Sequence, residues 1–553
     1  MILNLPTELA LQTLEFVDLH TVHNLQLVCK LWAEFIRVNE STVYHNVAAG
    51  QGLIPSQSTL VEDLQRWYSP RSLVAVTDWK QFWRRRVGIT RSWQGRMPAR
   101  PAIYTATGTH VHRIKVDELA GYIITTSADG GLRVTDMEED RVLWALPKNY
   151  VRGYAHVEYA DGFIIFDRRD GHKEVWRRAE DAQNCTDKVV EASAPDERQR
   201  AASQEAAEQY SSPSSRGHFV AWALISPGAI TTAFRAVYPV LLTASTHEAH
   251  VFDVRTGARV HRITNPQAPT DPFSMLDLGN LNYVEISNRH VFTCDSNALR
   301  VYAREDGKCV FEIVSNQARF GRWLFQVSRT PPAEQVEDAL VVHPLHQTYR
   351  EIPDSSLQYE EFYAAHVSKC GRHLVAALST ARIVVIYDFE RVLRGEVQLY
   401  DVAFEVQLGS ARTTTKYLAF EDNRVCVATG RGIFVVHILE MPSDPASSPQ
   451  IIVSRLPWFN DPERLHAISC MQMSDTSVWF NWESRPHEDD PDTLEAYEVE
   501  FYATAENSAY RTRLPGGHVM VLAADEFGPS DQIVSTVHGV NFAIPPGCLG
   551  AVA

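Results

Sequence analysis

Apolar residues recur in two different rhythms along this chain. Over the first 45 residues they fall in short clusters at helical spacing. Pro6 sets an entry turn, Thr7 can cap, and Glu8 sits where an anion favours a helix start. Leu9, Leu11, Leu14, Phe16 and Val17 predict a helix buried on more than one side, and Asp18 to His20 break it. Val22, Leu25, Leu27 and Val28 predict a second helix; Leu31, Trp32, Phe35 and Ile36, at i, i+1, i+4 and i+5, predict a third. Three short helices enclose little volume, so the pattern predicts apolar surface that a partner must cover.

Residues 59–68 and 78–87 read as two further helices, the second with Asp78 as N-cap and Trp79, Phe82 and Trp83 on its apolar side. Arg84-Arg85-Arg86 reads as a solvated last turn that complements the helix dipole, in preference to a nuclear signal or phosphate patch. From about residue 103 the rhythm changes to short apolar runs separated by turn residues, which predicts strands. VLLTASTHEAHVFDVRTGARVHRI from Val240 aligns without gaps on HVFTCDSNALRVYAREDGKCVFEI from His290, fifty residues on. IITTSADGGLRVTDMEEDRVLWAL from Ile123 fits the same register, and VAALSTARIVVIYD from Val375 fits its first half. Each reads as strand, turn, strand, turn, strand, with Asp136, Asp253 or Asp388 near a strand end and Gly257 and Gly307 in the turns. Further strand pairs fall at 163–176, 323–344, 425–438 and 478–501, giving about seven or eight four-stranded units. Such units bury both faces only when stacked radially, as in a propeller. The last unit is completed either by residues 519–522 or by an early strand near 103–114. The acidic, Ala/Gln/Ser-rich stretch 179–216 predicts a disordered insertion, and 440–450 and 484–493 predict loops.

The whole-chain figures narrow the function classes. A formal net charge of −16 argues against broad nucleic-acid binding. The 8 cysteines are scattered without a C-x-x-C pair, which supports reduced thiols and neither a zinc site nor a disulfide framework. No apolar run approaches the ~20 residues needed to span a bilayer, and the acidic residues at the start do not suit a signal peptide. His20 and His23 read as surface residues rather than a metal pair. The common phosphate-loop, metalloprotease and hydrolase motifs are absent, so no catalytic constellation, metal or cofactor is expected.

Leu5-Pro6-Thr7-Glu8-Leu9, Leu14, Val17-Asp18-Leu19, Leu25, Leu27-Val28-Cys29-Lys30 and Trp32 resemble the F-box. SADGGLRVTD at 127–136 resembles a WD-repeat motif with Thr135 where the family carries tryptophan, and the helical connector resembles the linker of F-box/WD-repeat proteins. The resemblance implies a multidomain α+β chain: an all-α F-box at 1–48, a helical linker at 49–101, a WD-repeat-like β-propeller at 102–525 and a tail at 526–553. It also implies docking on the S-phase-kinase-associated adaptor of cullin–RING ubiquitin ligases through Leu5, Pro6, Glu8, Leu9, Leu14, Leu19 and Leu27, with Val28, Cys29 and Trp32 in the F-box core. The propeller would then bind a protein client as the substrate receptor of an SCF-type ligase. Such a chain is a non-catalytic intracellular adaptor, cytoplasmic or nuclear, meeting cullin and RING subunits only through the adaptor. The alternative is a non-degradative scaffold that recruits no cullin. Family members that read phosphorylated clients carry arginine at positions matched here by Ala128, Ser245, Asp295 and Thr380, which disfavours that mode in these units. Arg133 and Arg300 read as ordinary surface arginines.

Overall fold

The computed structural model describes residues 5–211, 214–228, 230–268, 279–329, 340–346, 360–410, 412–421, 423–441, 447–484 and 534–544. Its first four helices are α1 (Thr7–Leu14), α2 (Leu19–Val28), α3 (Lys30–Val38) and α4 (Glu40–Gly50), one more than the apolar clusters predict. Asp18 caps α2 by accepting from the Thr21 N–H at 2.7 Å. Gly50 lets α4 approach the end of α1, since a Cβ there would stand 2.2 Å from the Glu15 carbonyl oxygen. Leu14, Val22, Ile36, Val43 and Val47 share one core with Ile54, Leu64, Trp79, Phe82 and Trp83. Residues 5–48 and part of the linker are therefore a single packed unit, and the predicted boundary at 48 does not divide them. Residues 61–66 form a 3₁₀ turn rather than the longer helix expected.

Helix α5 (Trp79–Trp93) starts on Asp78, whose carboxylate accepts from the Gln81 N–H at 2.8 Å. It runs six residues past the predicted end at 87, so Arg84–Arg86 lies mid-helix and not in a solvated last turn. Its first half feeds the head core through Trp79, Phe82 and Trp83. Its second half feeds a different core through Ile89 and Trp93, among Val435, Met471, Phe480 and Phe542. One continuous helix, about 22 Å long at 1.5 Å per residue, thus belongs to two hydrophobic cores.

The remaining strands make seven sheets arranged as the blades of a propeller. The inner strands are Val111–Asp117, Val157–Ala160, Ala233–Val237, Leu281–Ile286, Phe362–Val367, Thr415–Glu421 and Met471–Met473, for blades 1 to 7. Adjacent inner strands touch in that order, and the seventh touches the first. The two segments fifty residues apart are the second, third and fourth strands of blades 3 and 4. Gly257 and Gly307 turn at φ of 71° and 70°, in the left-handed region glycine tolerates. The pair at 323–344 is no eighth blade. Trp323–Arg329 joins the outer strand of blade 5, Ala403–Gln407, in parallel, and Leu340–His346 adds beyond it, extending that sheet to six strands.

Blade 7 settles how the ring closes. Its outer strand is Arg100–Tyr104, paired antiparallel with Val534–Asn541. The early strand is therefore the closing one, and the expected 526–553 tail supplies a blade strand; residues 519–522 lie outside the described residues. The 179–216 insertion is also corrected. It contains α6 (Ala179–Gln183) and α7 (Glu197–Gln209), and Ala202 and Ala206 of α7 pack among Trp144, Trp176 and Phe219 of blades 1 and 2. Gln199 is fully buried and donates to the carbonyls of Val175 and Ala223, at 3.0 and 3.2 Å, beside a register shift between the outer strands of blade 2. Small side chains fitted between large aromatics supply the burial that the composition alone hides.

Candidate interaction surfaces

The free end of the head presents apolar side chains to solvent. Pro6 begins α1, its carbonyl accepting from Leu9 and Ala10 at 3.0 and 3.1 Å, and the inward side of the turn carries Ala10. Leu5 and Leu9 are left 43% and 48% exposed, with Pro6 and Glu8 exposed beside them. Leu27 is 72% exposed and Leu19 half-buried. Leu14 differs from the expectation: at 1% exposure it is a core residue, wedged beneath α4. Val28 and Cys29, expected inside, are exposed. The chain is extended at Cys29 (φ −161°, ψ 163°) between α2 and α3, which throws both side chains outward. Trp32 is half-buried and meets the edge of Phe35 at 5.9 Å. Phe16 and Leu31, which periodicity assigns to buried faces, are 86% and 72% exposed. Phe16 lies beyond the end of α1, where the helical period no longer governs its direction.

On the propeller, the side facing the head is fixed by a polar hub. Asp475, in the first hairpin turn of blade 7, pairs with Arg86 through both carboxylate oxygens and accepts from Ser72 Oγ at 2.7 Å. Its backbone carbonyl accepts from Trp93 Nε1 at 2.9 Å and Arg424 Nη1 at 3.0 Å. Burial would raise the Asp475 carboxyl, but the Arg86 and Arg424 charges outweigh it and hold the group well below the usual carboxylate range. Arg85 donates to the carbonyls of Ile544, Ala543 and Arg71 at 2.5, 2.6 and 2.6 Å, and Trp93 stacks on Phe542 at 3.7 Å. The Arg84–Arg86 run therefore holds the head to the ring through its last two members. Ser69 Oγ adds a bond to Glu118 of blade 1 at 2.8 Å.

The opposite, far face opens on the central channel, and a line of charges crosses the channel below it. Lys115 Nζ lies 3.0 Å from Glu158, Arg235 bridges Glu158 and Glu285 at 3.1 Å each, and His366 Nδ1 lies 2.7 Å from Glu285. His366 Nε2 reaches the Leu418 carbonyl at 3.0 Å. Both ring nitrogens face acceptors, so only the doubly protonated ring donates to both. The inner strands of blades 1 to 6 are joined in sequence by this circuit. Burial pushes the Glu158 carboxyl up, and the Lys115 and Arg235 charges bring it back to a net value below the usual range. Periodicity cannot find these residues, because they interrupt the apolar alternation of the strands that carry them.

The positions Ala128, Ser245, Asp295 and Thr380 lie at or beside far-face turns. Asp295 pairs with Arg300, which also reaches Glu312 at 3.2 Å and is 2% exposed. Arg300 is thus a buried structural arginine and not surface chemistry, whereas Arg133 is exposed. Cys29, Cys185, Cys294, Cys309, Cys370, Cys426 and Cys470 are free thiols. His20 and His23 are exposed on α2. Among the described residues no group of three or more His, Cys, Asp or Glu is placed to hold a metal ion, and no helix is long and apolar enough to cross a membrane.

The F-box domain model matches residues 2–44. No curated protein sequence matches the chain. Solved structures similar to it include Kluyvelomyces marxianus Hsv2, at 9% identity and a TM-score of 0.36 over 64% of this chain and 86% of that one. The WD40 repeats of RRP9 align at 10% identity and a TM-score of 0.39, over 69% of this chain and 90% of that one. The computationally designed Ika8 protein aligns at 11% identity and 0.37, over 68% and 95%.

Proposed function

We propose that this chain, an F-box protein whose body is a WD-repeat-like seven-bladed propeller, is the substrate-recognition subunit of an SCF-type cullin–RING ubiquitin ligase. The observation that carries the reading is helix α5, shared between the head core and the propeller core and pinned by Asp475. A chain whose task is to present one bound protein to machinery held at a fixed distance needs such a connection. The solvent-facing Leu5, Pro6, Leu9 and Leu27 supply the adaptor-binding surface, because apolar groups left at the tip of a head gain free energy when a partner covers them. The far face, turned away from the head, holds the client.

Affinity purification from cells tests the proposal. The tagged chain should bring down the adaptor together with cullin and RING subunits, and Leu5→Ala combined with Pro6→Ala should lose all three and raise client abundance. Recovery of the adaptor without cullin would replace this reading with the scaffold one.

A further inference from the structure

We infer that the far-face mouth of the propeller channel is an acidic-residue pocket in which Arg113 receives a single carboxylate side chain of the client. This deepens the substrate-receptor reading and rests on it. Arg113 sits on the inner strand of blade 1, two residues nearer the far face than Lys115 and on the same side of the strand. Its Nη1 donates to the backbone carbonyls of Ser469 and His112, at 2.8 and 3.1 Å, so it is fixed in place. Among the described residues it has no carboxylate partner. Burial holds the phenols of Tyr363 on blade 5 and Tyr417 on blade 6 protonated, and the Arg113 charge opposes that burial in both. Burial, helped by Arg113, also depresses His112 to about 3 and keeps it neutral. Tyr283 stands two residues above Glu285 on blade 4 and adds a third phenol at this level.

Charge balance points to an anion. The floor holds Lys115, Arg235 and doubly bonded His366 against Glu158 and Glu285, and each carboxylate is already satisfied by cations. Among the described residues Arg113 is then a cation without a carboxylate partner, in a chain whose net charge is −16. A guanidinium with unused N–H donors suits a planar carboxylate. Among the described residues Arg113 offers a single guanidinium, short of the several cationic donors that a doubly charged phosphate takes up.

The test uses the purified full-length chain and three fluorescein-labelled nonapeptide libraries, degenerate except for a fixed central Glu, Gln or phosphoserine. Fluorescence anisotropy should show the Glu library bound about tenfold tighter than the Gln library, the worth of one charge-assisted contact. Arg113→Gln should bring that ratio close to one, Arg113→Lys should keep part of it, and Tyr363→Phe, which removes only a hydroxyl from a partly exposed side chain, should weaken the Glu library alone. Equal binding of Glu and Gln, a ratio unchanged in both Arg113→Gln and Tyr363→Phe, or a phosphoserine library that binds tightest would each overturn the inference. Co-purification of the adaptor, read separately, reports on the ligase assignment, so the two fail independently.

Discussion

At the scale of single residues, exposure separates side chains that hold the head together from those left on its surface. Leu14 and Leu9 lie on the same helix with opposite duties. Leu14→Ala opens a cavity beneath α4 and should cost about 2–5 kcal/mol in urea unfolding of the intact protein, through the transition that includes α1–α4. Leu9→Ala removes an exposed group and should change stability by less than about 0.5 kcal/mol while weakening adaptor capture. The reverse ranking would refute this division. Asp475 makes a pH-dependent prediction. Its folded-state pKa lies below the ordinary carboxylate value, so its contribution is fully present above pH ~4 and drains away as pH falls further. Asp475→Asn should therefore cost about 2 kcal/mol at pH 7, and the gap from wild type should narrow steadily below pH ~4, as the unfolded chain's carboxyl takes up its proton before the folded one does. A gap that stays constant down to pH 2 would show that the Arg86 pair contributes nothing.

At the scale of elements, legibility followed periodicity. The second, third and fourth strands of blades 1, 3 and 4 are readable because short apolar runs recur in one register between turns that carry glycine or aspartate. The inner strands are not, since Lys115, Glu158, Arg235, Glu285 and His366 place charge where a buried strand should be apolar. Helix α7 escaped notice for the opposite reason: alanine and glutamine carry little hydrophobic signal, and the aromatics that cover them lie up to 60 residues away in sequence. Of the candidate site, the exposed Leu5, Pro6, Glu8 and Leu9 were legible; the outward turn at Cys29 and the channel line were not, because both depend on where neighbouring elements sit. Two elements can be tested directly. Amide exchange across 197–209 should be strongly protected; exchange at the rate of an unstructured chain would remove α7 from the fold. Gly88, midway along α5, has open space where a Cβ would stand, so Gly88→Ala should raise stability by about 0.5–1 kcal/mol; a loss would mean the helix bends there.

At the scale of the whole molecule, head and ring are bound by α5 and the strand Arg100–Tyr104, which lie in one stretch of chain, and by the Asp475 hub, 382 residues beyond Trp93. That stretch also explains the domain boundaries that sequence reading misplaced, because covalent order and packing order part company at blade 7. A fragment starting at residue 105 lacks the closing strand and should unfold without a sharp thermal transition, whereas one starting at 78 should melt cooperatively. Matching melts would show that the ring does not depend on its early strand. The split blade has a consequence for biosynthesis. A ribosome finishes the docking head long before it reaches Val534–Asn541, and Arg100–Tyr104 must wait unpaired throughout. The head of a nascent chain can therefore be packed while its ring is still an open arc, and the last of the described strands to emerge is the one that makes blade 7 whole.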